Sequence, residues 1–275
     1  MAYHLYCFTF PARARLPDGT HGPPPHGRPA ANQATAPGNP PHPVSLSCLE
    51  DPIPLIPPHG IVVVCLPETT DPASLAQAAT TALQHAIPAT RPYTLTRHFT
   101  ASRWHQRGLL HPYRGQAAGG PVRLLNLAAM REHGAAAYAA RWACWRAVVA
   151  GTRPAKPFWH FEDRHRRDPF RYPASTAARD YASQPRVAAM RAYNMHPRRA
   201  MLLPATHLEA LQTTFHTYRL IGHATAVPAN GLLYAGHLYT PGSDRLADLQ
   251  SYLEHTSSIL DALPETTRLV ALTHP

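Results

Sequence analysis

From residue 200 onward the hydrophobic period switches repeatedly between two and 3.6. This ordered switching restricts the fold more than any other feature of the chain. "AMLLP" (200–204) reads as a short apolar strand. "THLEALQTTFHTYRL" (206–220) opens with a capping box, Thr206 to Glu209, and gathers Leu208, Leu211, Phe215 and Tyr218 on one helical face. "GHATAVP" (222–228) and "GLLYAGHLYT" (231–240) read as two strands across a Pro-Ala-Asn-Gly turn. "SDRLADLQSYLEHTSSIL" (243–260) predicts a helix with Leu246, Leu249 and Leu253 inward, and "TRLVALT" (267–273) a closing strand. The order β-α-β-β-α-β predicts a ferredoxin-like unit, a four-stranded antiparallel sheet with both helices on one face.

The first third repeats this order loosely. "AYHLYCFTF" (2–10) reads as a strand bounded by Pro11. Residues 16–60 are dense in Pro, Gly and His and read as a long loop, with one short strand at 44–49. "GIVVVCLP" (60–67) is a continuous β-branched run, the mark of a buried strand. Residues 71–86 predict a helix with Asp71 as N-cap and Pro72 in the first turn, and 93–100 alternates like a strand.

Between these halves the composition changes. Residues 91–199 carry 20 basic and five acidic side chains, against six and 11 in the rest of the chain, so the whole formal excess of +10 arises here. Arginine-for-lysine usage alone can reflect codon bias, but codon bias does not concentrate charge. "VRLLNLAAMREHGAAAYAARWACWRAVVAG" (122–151) predicts a long alanine-rich helix with a possible break at Gly134, and 175–194 one or two short helices. The expected class is therefore α+β: two ferredoxin-like (RRM-like) units with an Arg-rich helical insertion. The boundaries fall at 1–103 for a degenerate N-terminal unit, 104–199 for the basic insertion and 200–275 for the C-terminal unit.

The insertion concentrates Arg164, Arg166, Arg167, Arg171, Arg179, Arg186, Arg191, Arg198 and Arg199, with Phe170, Tyr172 and Tyr181 between them. Guanidinium groups match phosphates bidentately, and aromatic rings stack on unpaired bases. The pattern points to a nucleic-acid backbone; the competing expectation is a solvated helix face partly neutralised by Asp163, Asp168 and Asp180.

Other chemistries fit less well. No apolar stretch is long enough to span a membrane, and "MAYHLYCFTF" lacks the pattern of a secretory signal, so the expected location is the cytoplasm, with no membrane partner. Cys7, Cys48, Cys65 and Cys144 form no C-x-x-C pair and read as buried thiols. The 19 histidines show no metal spacing, so no metal and no cofactor is expected. Gly222, Gly231, Gly236 and Gly242 match no phosphate-loop motif and read first as turn glycines. His21 and His26 stand apart: they follow the first strand and lie beside Arg13, Arg15 and Arg28. A histidine among arginines can relay a proton while the cations neutralise a phosphorane, which cleaves RNA through its own 2′-OH without metal.

The strand near residue 1, the basic loop after it, the two expected ferredoxin-like units and the glycine-containing segment 222–242 together resemble the RAMP superfamily of CRISPR-associated proteins. The helical Arg-rich insertion looks most like the repeat-processing endoribonuclease of type IV, plasmid-borne systems. The resemblance implies metal-independent cleavage of CRISPR repeat hairpins to guide RNA, retention of the product, and other effector subunits as partners. It implies His26 or His21 as catalyst, with Arg13, Arg15 and Arg28 as the alternative, because arginines sometimes take over from histidine in this family. Two other functions stay open: a non-catalytic RNA-binding subunit of such a ribonucleoprotein, and a plasmid or phage DNA-binding protein.

Overall fold

The computed structural model describes residues 60–89, 92–102 and 107–273. The expected strands 2–10 and 44–49, the Pro-rich loop, Cys7 and Cys48 lie outside them. Around one strand, β1 (Ile61–Leu66), the rest of the sheet is arranged. β1 runs parallel to β6 (Gly231–Tyr234) on one side and antiparallel to β8 (Arg268–Thr273) on the other. β7 (His237–Tyr239) extends the β6 edge as a hairpin. Two short strands, β2 (Thr94–Leu95) and β5 (Gly119–Pro121), share the far edge of β8. The result is a mixed sheet in an α+β fold.

Both faces of β1 are covered, which is why its sequence is continuously apolar rather than alternating. Val62, Val64 and Leu66 pack with Leu75, Ala79 and Leu83 of α1 (Leu75–Ala86). Ile61 and Val63 face the opposite core with Met130 of α2 (Leu127–Val148) and Leu260 of α8 (Leu246–Ala262). A one-residue slip of β1 would exchange these two sets. Asp71 caps the 3-10 turn that leads into α1 by accepting from Ala73 N, as its sequence predicts.

Several expectations are corrected. Among the described residues β1, β2 and β5 share one sheet with β6, β7 and β8, instead of each half forming its own sheet. Residues 200–273 do not make their own four-stranded antiparallel sheet, since β1 separates β6 from β8. Residues 200–204 are not a strand, because side chains satisfy their backbone. Asn194 holds both polar groups of Leu203, the Tyr193 hydroxyl accepts from Ala200 N and Met201 N, and Arg141 Nε donates to the Leu202 carbonyl.

The expected helix 206–220 is split into α6 (Leu208–Leu211) and α7 (Phe215–Thr225). Thr214, not Thr206, is the capping threonine, accepting from Thr217 N at 3.1 Å. α7 therefore runs on through 222–225, where a strand was expected. The 231–240 segment folds into the β6–β7 hairpin, and 93–100 breaks into β2 and β3 (Phe99–Thr100), the latter paired with β4 (Gln116–Ala117) in a separate ribbon. α2 passes through Gly134 without a break, and Gly222 is a helical contact residue rather than a turn glycine.

Candidate nucleic-acid interface

The arginine-rich end of the basic middle folds into three consecutive helices: α3 (Phe158–Arg167), α4 (Ala174–Ala182) and α5 (Pro185–Met195). The sequence predicts the last two; α3 is an addition. α3 is amphipathic in an unusual way, with aromatic rings inward and arginines outward. Phe158 and Phe161 meet Tyr181 of α4 edge-on, at ring separations of 5.3 and 6.1 Å. Of its two acids, Asp163 serves anchoring and Glu162 pairs with Arg166 on the outer face. Asp163 pairs with Arg245 at 2.7 Å, and Arg245 in turn lies over the Trp159 ring. Glu209, expected in a capping box, instead accepts from Trp159 Nε1 at 2.9 Å and from Leu246 N at 3.0 Å, joining α3 to the start of α8.

A tight turn joins α3 to α4. Asp168 Oδ1 accepts from Arg171 N, and the Asp168 carbonyl accepts from Tyr172 N at 2.9 Å. His165 Nδ1 donates to the Tyr172 carbonyl at 2.9 Å. Tyr172 is buried beneath the turn and its hydroxyl donates to Asp180. Burial, reinforced by Asp180, raises the Tyr172 pKa above its ordinary value. Tyr181 is also buried, so Phe170 is the one exposed ring of the three aromatics in this segment.

The arginines fall into groups that the sequence does not separate. Arg186 is structural: its guanidinium donates to Thr152 Oγ1, the Thr152 carbonyl and Gln212 Oε1, and lies over Trp145. Desolvation and then nearby Arg146 lower its pKa. Arg164 stacks over the Tyr172 ring at 4.0 Å. Arg166 pairs with Glu162 at 3.1 Å, an exposed i,i+4 pair of small energetic weight. Arg171 and Arg179 keep 91% and 75% of their side-chain surface exposed, each at 3.8 Å from an aspartate. Arg167, Arg191, Arg198 and Arg199 are exposed and make no ion pair among the described residues. The local acids thus leave much of this array unneutralised, and such a field favours a polyanion.

A second cationic feature escaped the sequence reading. Arg97 and Arg114 both lie about the exposed Tyr113 ring, at 5.1 and 5.0 Å, on a turn where His111 and Arg114 adopt positive φ. The signal for it was the His-Pro-Tyr-Arg-Gly turn, 111–115.

The expected catalytic group, His26, His21, Arg28, Arg15 and Arg13, lies outside the described residues. No family model matches the sequence, and neither a curated protein nor a solved structure shows significant similarity to it. Half-buried His98 is held by the Val227 carbonyl at 2.9 Å, and burial lowers its pKa. His160 Nε2 accepts from Lys156 Nζ at 3.1 Å, and burial together with that cation lowers its pKa. Among the described residues no cluster of three His, Cys, Asp or Glu side chains is placed to hold a metal. Burial pushes the Cys65 thiol up to about 12, so it is protonated and unreactive at neutral pH. No helix of the described residues is long and apolar enough to cross a membrane.

Proposed function

We propose that the chain binds structured RNA through the outer face of α3, the α3–α4 turn and the end of α5. We further propose that it acts as a metal-independent endoribonuclease of the CRISPR repeat-processing type, cutting repeat hairpins to guide RNA and keeping the product. The observation that carries the binding reading is the exposed arginine array, in which Arg167, Arg191, Arg198 and Arg199 make no ion pair among the described residues and Arg171 and Arg179 each stand 3.8 Å from an aspartate. Fixed forks suit phosphates of a folded RNA better than flexible lysines would. The cleavage step rests on the resemblance and on His21, His26, Arg13, Arg15 and Arg28. With it goes the expectation of other effector subunits as partners in the cytoplasm.

The test is incubation of an end-labelled repeat-type hairpin with the full chain in EDTA. Cleavage with the product still bound supports the whole reading. Tight binding without cleavage leaves a non-catalytic RNA-binding subunit. Preference for duplex DNA over the hairpin at physiological salt contradicts it in favour of a DNA-binding protein.

A further inference from the structure

Phe170 is 95% exposed, the most exposed of the large hydrophobic side chains among the described residues. A single exposed hydrophobe is ordinary on a protein surface. Two features set this one apart. First, the backbone that carries it is held. The turn that carries it is closed on both sides of Phe170 by Asp168, which binds Arg171 N with its carboxylate and Tyr172 N with its carbonyl. His165 and the buried Tyr172 anchor that turn to the helices below. Pro169 further restricts the backbone immediately before the ring. Second, the turn is cationic: Arg166 and Arg167 precede the ring, and Arg171, 91% exposed, follows it.

Resting on the RNA-binding reading above, we infer that Phe170 is a specificity-determining residue that stacks on an unpaired nucleobase while Arg167 and Arg171 take the flanking phosphates. A base inside a duplex already has a neighbour on each face. The ring therefore finds a free face only at a loop, a bulge or the end of a stem. The substrate class this selects is a stem bearing at least one unpaired nucleotide, in preference to continuous duplex. An anionic membrane surface would also attract such a turn. One ring offers too little apolar area for stable interfacial insertion, so the nucleobase is the better occupant.

The experiment measures affinity of the full chain for a stem-loop RNA with a single-stranded tail and for a blunt duplex of the same stem sequence. Phe170→Ala is expected to weaken stem-loop binding by about tenfold, the scale of one lost base–aromatic stack. Blunt-duplex binding should stay within about twofold, because its phosphate contacts are untouched. Phe170→Trp restores the stem-loop affinity. The ring touches little of the protein, so thermal unfolding of both variants should match the wild type. Equal loss on both RNAs, or no loss on either, overturns the stacking role while leaving RNA binding intact. Failure of the wild type to bind either RNA overturns the RNA reading itself. Phe170-dependent binding to phosphatidylserine vesicles without RNA binding would assign the turn to a membrane instead.

Discussion

Gly134 of α2 and Gly222 of α7 bring two helix backbones into direct contact. A Cβ added to Gly134 would overlap the Gly222 carbonyl oxygen, and one added to Gly222 would overlap Tyr138 Cβ and Cγ. The crossing sets how closely α7 lies against α2, and through Tyr138 and Tyr218, with ring centroids 4.8 Å apart, how the core beneath the helical region is packed.

Gly222→Ala should therefore destabilise the fold despite the better helix propensity of alanine. Propensity favours the change by about 1 kcal/mol. Overpacking against fixed atoms typically costs about 1–3 kcal/mol, and here much of the obstacle is backbone or ring-root atoms with little freedom to move. Urea denaturation should give a lower midpoint for Gly222→Ala and for Gly134→Ala. An unchanged or raised midpoint for both would show that the helices separate at little cost.

Arg186→Ala should lower stability by about 1–3 kcal/mol, because it leaves the Thr152 carbonyl without its guanidinium donor and removes one of the two donors to Gln212 Oε1 in a half-buried setting. Arg186→Lys should not recover the loss, since an ammonium cannot reproduce the three-way fork. The salt dependence of RNA binding should be unchanged in any folded Arg186 variant. A reduced slope would return Arg186 to the RNA-contacting set.

Acid sensitivity should come in part from His207. Its Nδ1 is hydrogen-bonded to the Tyr218 hydroxyl at 2.9 Å, its ring lies by Tyr138, and burial followed by the Arg141 charge lowers its pKa to about 3. In the unfolded chain a histidine titrates near about 6.5. Between these values the unfolded state binds the proton that the folded state refuses. The contribution is thus complete above the unfolded value and is lost as pH falls, at up to about 1.4 kcal/mol per pH unit. Half-buried His98, whose pKa is also lowered, acts in the same direction. Denaturation midpoints measured from pH 7 down to pH 4 should fall less steeply for His207→Gln than for the wild type. Parallel declines would mean that His207 is protonated in the fold.

The sequence made some elements plain. β1 announces itself as six apolar residues because both faces are covered, and α8 because its leucines recur at helical spacing while its exposed face stays polar. The segment 222–228 misled, because small and β-branched residues at that spacing fit a strand face and a helix contact alike; only the glycine-to-glycine crossing decides it. Residues 200–204 misled because a short apolar run signals burial, which Leu203 has, without revealing that Asn194 and Tyr193 replace a neighbouring strand. In the candidate interface the arginines were visible as a group but their tasks were not. Arg186 and Arg191 look alike in sequence, yet one closes a half-buried hydrogen-bond fork and the other stands exposed. Phe170 and Tyr172 also look equivalent until the tyrosine hydroxyl finds Asp180 and the ring goes under the turn.

The most direct test of RNA binding through α3 and its turn is the salt dependence of hairpin-RNA affinity for the wild type and for Arg167→Ala/Arg171→Ala. Both side chains are exposed; Arg167 makes no ion pair among the described residues, and Arg171 has only a long one. Their removal should leave stability unaltered. Each lost phosphate contact reduces the slope of log K against log salt by about 0.7–0.9, so the double variant should bind more weakly and with a visibly shallower slope. A variant whose affinity and slope both match the wild type would contradict the account and place any RNA-binding surface elsewhere.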